Sequence, residues 1–131
     1  MKNNKGQSLV EFALVIPFFL LLVFGIIYSG MLFHDYSTLS NLARSAAREA
    51  AIVSGTQYDE IEAFYLNQSK NMLTTLYTTE EVSVKPETQT DGSAGVRVRI
   101  HMERTITSGV LNDVTPPTFD IVYFMKKDTP N

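Results

Sequence analysis

Hydrophobic residues are distributed very unevenly along this chain. No charged residue stands between Phe12 and Phe33, and nearly all of the side chains in that run are apolar. As a helix, the run would span about 33 Å, close to the roughly 30 Å hydrocarbon core of a bilayer. A helix that is apolar on every side for this length is typical of a membrane span and seldom of a soluble core. The pattern therefore predicts a transmembrane helix.

The charges on either side of this run predict its orientation. Residues 1–6 contain Lys2 and Lys5 and no acid, whereas Asp35 follows the run. Lysines collect on the cytoplasmic flank of a span, so we expect the N-terminus inside and the remainder outside. The expected parts are a leader at 1–6, a transmembrane helix at 7–33 and an extracytoplasmic head at 34–131.

An ordinary secretory signal peptide is the alternative interpretation of the same run. The apolar region of such a peptide normally spans 7–15 residues and ends in a small-x-small cleavage site. The run here is longer, and Tyr28-Ser29-Gly30-Met31 matches such a site poorly. We therefore expect the span to be kept rather than removed by cleavage near residue 30.

Helical periodicity continues past the apolar run without a stop signal. Small and apolar residues recur at spacings of three and four as far as Val53, and Ser54-Gly55 then supplies a helix end. The pattern predicts one helix from about Ser8 to Val53. Pro17 lacks a backbone donor, so we expect it to kink or loosen this helix locally.

A second amphipathic segment follows after a short turn. The stretch from Thr56 to Asp59 resembles a capping box, and acidic residues follow in the first turn. We expect a helix from Thr56 to about 77–79, packed against the alanine-rich face of the first helix. Its predicted apolar stripe consists of Ile61, Phe64, Tyr65, Met72, Leu73 and Leu76.

The rest of the sequence alternates between apolar and polar residues, which is the pattern of half-buried strands. Pro86 is expected to end the first strand, and Asp91-Gly92 to form the turn in a loop at 87–94. Thr105 to Thr118 is expected to be a connection. The predicted strands lie around Val82–Lys85, Val96–Glu103 and Phe119–Met125.

The predicted fold class is therefore α+β. It consists of a long N-terminal transmembrane helix that extends into a small head, where a second helix accompanies a three-stranded antiparallel sheet.

Composition argues against several kinds of chemistry. The net charge is −3 and the sequence has no cysteine, which excludes disulfides and thiolate metal sites. His34 and His101 have no carboxylates at metal-ligand spacing, and no phosphate-binding loop or catalytic motif occurs. Arg97, Arg99 and Arg104 are expected on a solvated strand face rather than at a nucleic-acid site. We expect no cofactor, no metal, no nucleic acid, no small-molecule substrate and no catalysis.

Glu11 is unusual for its position, because it lies one residue before the charge-free run. A carboxylate in a membrane costs roughly 2.5–3.5 kcal/mol on insertion scales and usually has a partner. Two interpretations remain open: the side chain reaches the membrane surface, or it pairs with a cation in the same layer. Cleavage after Gly6 would supply that cation, because Gln7 would then carry a free ammonium and Glu11 would become the fifth residue.

The stretch Gly6-Gln7-Ser8-Leu9-Val10-Glu11-Phe12 resembles the cleavage and assembly motif of type IV pilins. That motif has a glycine before the cut and a glutamate at the fifth mature position, here with an aromatic at the sixth. Together with the continuation to Pro17 and the alanine- and arginine-rich segment 43–51, it resembles the TadE-like family more closely. This family comprises minor pilin-like proteins of the tight adherence (Tad/Flp) type IV pilus system, and the resemblance covers residues 6–53.

The resemblance implies a role in pilus assembly. It implies that a prepilin peptidase cuts between Gly6 and Gln7, and that Glu11 and Phe12 serve assembly and pairing with the new N-terminus. It also implies the membrane and other pilin subunits as partners, with the protein in the inner or cytoplasmic membrane before any incorporation into a pilus. The main alternative is an uncleaved single-pass protein whose outer domain binds a partner, and a membrane-anchored enzyme is a third possibility.

Overall fold

The computed structural model describes residues 4–53, 55–106 and 115–127. Its strands form one antiparallel sheet in the order β1-β2-β3, which confirms the α+β class. Contacts divide the chain into two units, Met1–Phe33 and His34–Asn131. The elements are α1 (Asn4–Ile52), a 3₁₀ turn (Gly55–Gln57), α2 (Tyr58–Met72), β1 (Tyr77–Thr88), β2 (Ala94–Arg104) and β3 (Thr118–Lys126).

The first helix is continuous, as the periodicity predicts. It begins at Asn4 rather than near Ser8, and it passes through Pro17 without interruption of the helix. The expected kink at Pro17 stays a prediction. In this first helix, the residues up to Phe33 have no core of their own, whereas those after it help to build one.

The core of the second unit consists of small residues on α1 and branched residues on the sheet. Leu39 and the alanines at 43, 46, 47 and 50 are fully buried. Four inward side chains of β2 are also fully buried: Val96, Val98, Ile100 and Met102. Alanines leave room for close approach between the backbone of a helix and its neighbours, so this face of α1 can pack tightly.

The second helix is shorter than predicted, and its end is the first correction. It stops at Met72, and residues 77–79, expected at the helix end, open β1 instead. Leu76 and Tyr77 are buried where the chain enters the sheet. Their apolar character fits a helix stripe and a strand equally well, which is why periodicity alone misassigned them.

The predicted capping box and part of the predicted stripe are also wrong. The N-cap of α2 is Gln57, which makes no side-chain capping bond. Phe64 is 59% exposed and Met72 47% exposed. The face that α2 buries instead carries Tyr58, Ile61, Tyr65 and Ser69. These positions lie on one face of the helix. Because Ser69 on this face is polar, the apolar periodicity alone does not identify it as the buried face.

Strand β1 is longer than predicted, since it continues through Pro86 to Thr88. Its register with β2 shifts between Thr79 and Glu81, so that Glu80 is an extra residue. An extra residue reverses which side chains face inward, and the buried positions change from 77 and 79 to 82 and 84 accordingly. This bulge keeps apolar residues on the core side of both halves of the strand.

Pro86 does not end β1 because the strand lies at the edge of the sheet. The N–H of Val84 points away from β2 and donates to Glu62 Oε1 at 2.6 Å. Residues two apart in a strand point their backbone groups the same way, so the nitrogen of Pro86 also faces away from β2. A proline there removes no bond between the strands.

The turn between β1 and β2 occupies residues 89–93, and Gly92 lies in it as predicted. Gly92 has a φ of 81°, a left-handed conformation that glycine adopts without strain. Its N–H donates to the carbonyl of Gln89, and Asp91 accepts bonds from the N–H and hydroxyl of Ser93. The loop is shorter than the predicted 87–94. Of the predicted connection from Thr105 to Thr118, residues 107–114 lie outside the described residues.

The third strand lies where the alternation of apolar and polar residues predicts it. Phe119, Ile121, Tyr123 and Met125 share a face with the inward residues of β2, as their pairing positions show. The guanidinium of Arg44 on α1 lies 5.4 Å from the centre of the Tyr123 ring. Lys127, directly after the strand, donates from Nζ to the carbonyl of Val53 at 3.2 Å. These contacts attach α1 to the inner face of the sheet.

Candidate assembly segment

The residues predicted to mediate cleavage and assembly lie in the first turns of α1. Gln7 Nε2 donates to Glu11 Oε1 at 3.3 Å, so these two side chains share one helical face. Both are exposed, as is Phe12 at 67%. The structure thus places the carboxylate of Glu11 beside the residue that cleavage after Gly6 would make the N-terminus.

Gly6 lies in the first helical turn, and a side chain built on it would meet no atom within 4 Å. Glycine in a helix is less stable than alanine by about 1 kcal/mol. The helix beside Gly6, close to its end, can therefore unwind at a small free-energy cost into the extended form that proteases bind. Local structure here offers little resistance to cleavage.

Large apolar side chains surround α1 on every side up to Phe33. Leu21 is 73% exposed, and the most apolar stretch of the helix has none of its residues buried. Among the described residues, α1 is the one helix long and apolar enough to cross a membrane. This length and composition indicate a single membrane crossing.

Small residues interrupt the bulky surface of this segment near its middle. Gly25 and Gly30 have open space where a side chain would stand, and the hydroxyl of Ser29 donates to the carbonyl of Gly25 at 2.8 Å. Because that hydroxyl is satisfied within the helix, it can lie in an apolar medium at little cost. Glycines of this kind allow close approach of a second helix in lipid.

A family model described as TadE-like protein matches residues 6–48. Over these residues, named the TadE-like segment below, the chain is similar to TadE-like proteins. The TadE-like segment includes Gly6, Gln7, Glu11, Phe12 and Pro17, and it reaches Arg48 on the part of α1 that packs in the second unit. The match supports a Tad pilus-related, pilin-like role. No curated protein and no solved structure matches the chain.

Within the TadE-like segment, a buried carboxylate lies near the point where α1 enters the second unit. Asp35 is fully buried, and it accepts bonds from the N–H and the hydroxyl of Thr74, at 2.9 and 2.6 Å. His34 Nδ1 lies 3.4 Å from the same carboxylate. Sequence reasoning identified Asp35 only as a charge flanking the membrane. Its partner is 39 residues away, and no local pattern signals such a pair.

The outer face of the sheet is charged, as the alternation of β2 predicts. Arg97 pairs with Glu87 at 2.5 Å, and Arg99 pairs with Asp120 at 2.7 Å. His101 Nδ1 lies 2.6 Å from the same Asp120. Hydrogen bonds from Arg99 first, and from His101 second, lower the pKa of Asp120.

A shallow cleft of about 230 Å³ lies on this outer face, between Glu81, Ser83, Lys85, Arg97 and Arg99. Its arginines already have carboxylate partners within the chain. Arg104 differs from the other two arginines, because it is half-buried and donates to the carbonyl and hydroxyl of Thr115. The cleft is therefore a solvated strand face, as expected, and we assign it no ligand.

One tyrosine is linked to α1 from the second helix. The hydroxyl of Tyr65 donates to Glu49 Oε2 at 3.1 Å. Burial first, and then the bond to Glu49, raise the pKa of Tyr65. The pair joins α1 to α2 and has no catalytic geometry around it. Among residues 4–53, 55–106 and 115–127, no group of three or more His, Asp or Glu side chains could hold a metal ion.

Proposed function

We propose that this protein is a minor pilin or pseudopilin that takes part in assembly of a Tad/Flp-type pilus. The observation that carries the proposal is the TadE-like match over residues 6–48, on a helix whose large apolar side chains are exposed. Such a surface requires lipid or other apolar helices around it. The membrane provides lipid around the helix before assembly. A fibre built from packed pilin helices then surrounds it with other apolar helices.

In this proposal a prepilin peptidase removes residues 1–6 and leaves Gln7 as the N-terminus. The new ammonium would lie in the same layer as Glu11, whose carboxylate already shares a helical face with Gln7. Pairing of the two groups, within a chain or between neighbours, offsets the cost of holding a charge in an apolar layer. Residues 7–33 act as the membrane span, and residues 34–131 form a head outside the cytoplasm.

Cleavage tests the first part of this proposal. Co-expression with a prepilin peptidase is expected to remove Met1–Gly6, which intact-mass spectrometry detects directly. Gly6→Val should block the cut, because a branched side chain next to the scissile bond would hinder approach of the peptidase, whereas Phe12→Leu should be cut normally. An intact N-terminus in the native host, or a cut near residue 30, would contradict the proposal and favour an uncleaved single-pass protein or a secreted one.

Glu11 tests the second part. Glu11→Leu removes the charge, and Glu11→Gln keeps the shape while it removes the charge. If ion pairing holds the subunit in the assembly, both variants should insert in the membrane and be cleaved, yet both should fail to support pili. Pilus counts by electron microscopy would show this. Normal pili with either variant would refute the pairing role.

A further inference from the structure

Gln7 has a chemical property that matters only at a chain terminus. Its α-nitrogen and its side-chain carbon Cδ lie within one residue, at the spacing of a five-membered ring. Inside the uncleaved chain this nitrogen belongs to a peptide bond and does not act as a nucleophile. Cleavage after Gly6 would free it as an amine. The nucleophile and the electrophile would then be held close together, which favours reaction between them.

Ring closure of Gln7 needs no other reactant. The bond from the α-nitrogen to Cδ forms, the bond from Cδ to Nε2 breaks, and ammonia leaves with a proton that the amine gives up. The product is pyroglutamate, which is a neutral lactam. A mature chain that has undergone this reaction has no ammonium at its N-terminus, so it cannot supply the cation that Glu11 needs in an apolar layer.

Neither burial nor helix structure protects Gln7 from this reaction. The residue is exposed. The first four N–H groups of a helix have no acceptor within that helix, so the nitrogen of Gln7 would make no helical hydrogen bond once residues 1–6 are removed. Any protection has to come from a neighbouring side chain, and Glu11 is the only charged residue from 7 to 33.

The carboxylate of Glu11 opposes ring closure in two ways. Its Oε1 accepts a hydrogen bond from Gln7 Nε2 at 3.3 Å. A carboxylate that accepts from the amide nitrogen increases the electron density of the amide, so Cδ becomes a weaker electrophile. The negative charge also favours the protonated form of a nearby amine. An ammonium has no lone pair with which to attack Cδ.

We propose that Gln7 is a modification site in the mature chain, and that Glu11 protects it from conversion to pyroglutamate. Glu11 then has a role within its own chain, separate from any pairing with a neighbouring subunit. Where this carboxylate is missing, Gln7 cyclises and the N-terminus loses its charge. This inference rests on the proposed function, because cleavage after Gly6 creates the amine that reacts.

Mass spectrometry of the mature chain tests this proposal. Wild type, Glu11→Gln and Glu11→Leu are co-expressed with a prepilin peptidase, purified in detergent and incubated at neutral pH. Ring closure makes the N-terminal peptide lighter by one ammonia molecule. Glu11→Leu, which lacks both the charge and the acceptor, should cyclise at least about tenfold faster than wild type. Glu11→Gln lacks only the charge, so its rate should lie between the other two.

A double variant is the matched control. Gln7→Ala combined with Glu11→Leu has no terminal amide, so its N-terminal peptide should lose no ammonia. Circular dichroism should show the same helix content in all of these chains, which excludes unwinding of α1 as the cause of a faster reaction.

Equal rates of ring closure in wild type and both single variants would overturn the proposal. So would a wild-type mature chain that is already fully cyclised, or capped by another group, when it is isolated from its host. In each of these cases Glu11 does not preserve a free ammonium at Gln7.

The proposed function can fail separately from this inference. A chain that keeps residues 1–6 in its native host has a higher mass than any mature form, and this result contradicts cleavage itself. A fusion protein whose removal leaves Gln7 as the first residue gives the same mature chain without a prepilin peptidase. The rates measured on that chain and its Glu11 variants still decide whether Glu11 protects Gln7.

Discussion

The two parts of α1 use the same helix in opposite ways. Up to Phe33 its side chains are large and exposed, as at Phe12, Leu21 and Phe33 itself, whereas after Asp35 the inward residues are mostly alanines with no exposure. The second part obtains its burial from the sheet and α2 of its own chain. The first part has no such cover and must obtain it from lipid or from other chains. One part of α1 therefore stabilises the fold of its own chain, and the other part requires lipid or other chains to cover it.

The largest expected effect comes from one substitution made in both parts. Leu39→Ala deletes a fully buried side chain and should destabilise the head by about 2–5 kcal/mol. Leu21→Ala removes the same atoms from a side chain that is 73% exposed, and it should leave the unfolding of the head unchanged. The free energy of unfolding of each variant is measured by denaturation in detergent, with tyrosine fluorescence as the signal. Equal losses would break the distinction between the two parts.

The boundary between the two parts offers a second, somewhat smaller effect. Asp35→Ala leaves the N–H and hydroxyl of Thr74 without their buried acceptor, which should cost about 1–3 kcal/mol. Thr74→Ser keeps both donors and should cost much less. The same denaturation measurement applies. A neutral Asp35→Ala would show that this carboxylate is only a flanking charge, as the sequence pattern suggested.

The smallest expected effect on stability comes from a charge on the outer face of the sheet, which neither part of α1 contacts through this residue. Because the folded-state pKa of Asp120 is lowered, its ionised form stabilises the fold above its unfolded pKa of about 3.9. This contribution is lost as pH falls through the still lower folded pKa. The melting temperature of the wild type should therefore exceed that of Asp120→Asn at pH 5–6. The difference between the two melting temperatures should disappear below about pH 4. Glu103→Gln on the same face controls for the loss of one negative charge.

Strictly local patterns predicted much of the fold. Alternation located β2 and β3 because each has one buried and one solvated face, and the continuous period located α1. The failures occurred where a tertiary contact overrides a local signal. Pro86 lies inside a strand because the edge spares its nitrogen, and Glu80 shifts the register because both halves of β1 must face one core.

The candidate site divides in the same way. Gly6, Gln7, Glu11 and Phe12 are recognisable because their spacing is local, and their roles in cleavage and assembly stay predictions. The bond between Asp35 and Thr74 joins residues far apart in sequence, and so does the contact of Glu62 with the β1 edge. Neither has a signature that a single sequence reveals. The strand order β1-β2-β3 likewise has no local signature in the sequence.

The bond from Lys127 to the carbonyl of Val53 has a consequence for the order of folding. Its partners are separated by 74 positions, the longest separation among the hydrogen bonds described. The β1–β2 hairpin closes through a short turn and can form early, whereas β3 and Lys127 emerge late as the chain is made. Until then the alanine face of α1 lacks the third strand of its sheet. A chain that stalls before Thr118 would lack β3 and leave that face partly uncovered, so quality control could detect truncated subunits by their exposed core.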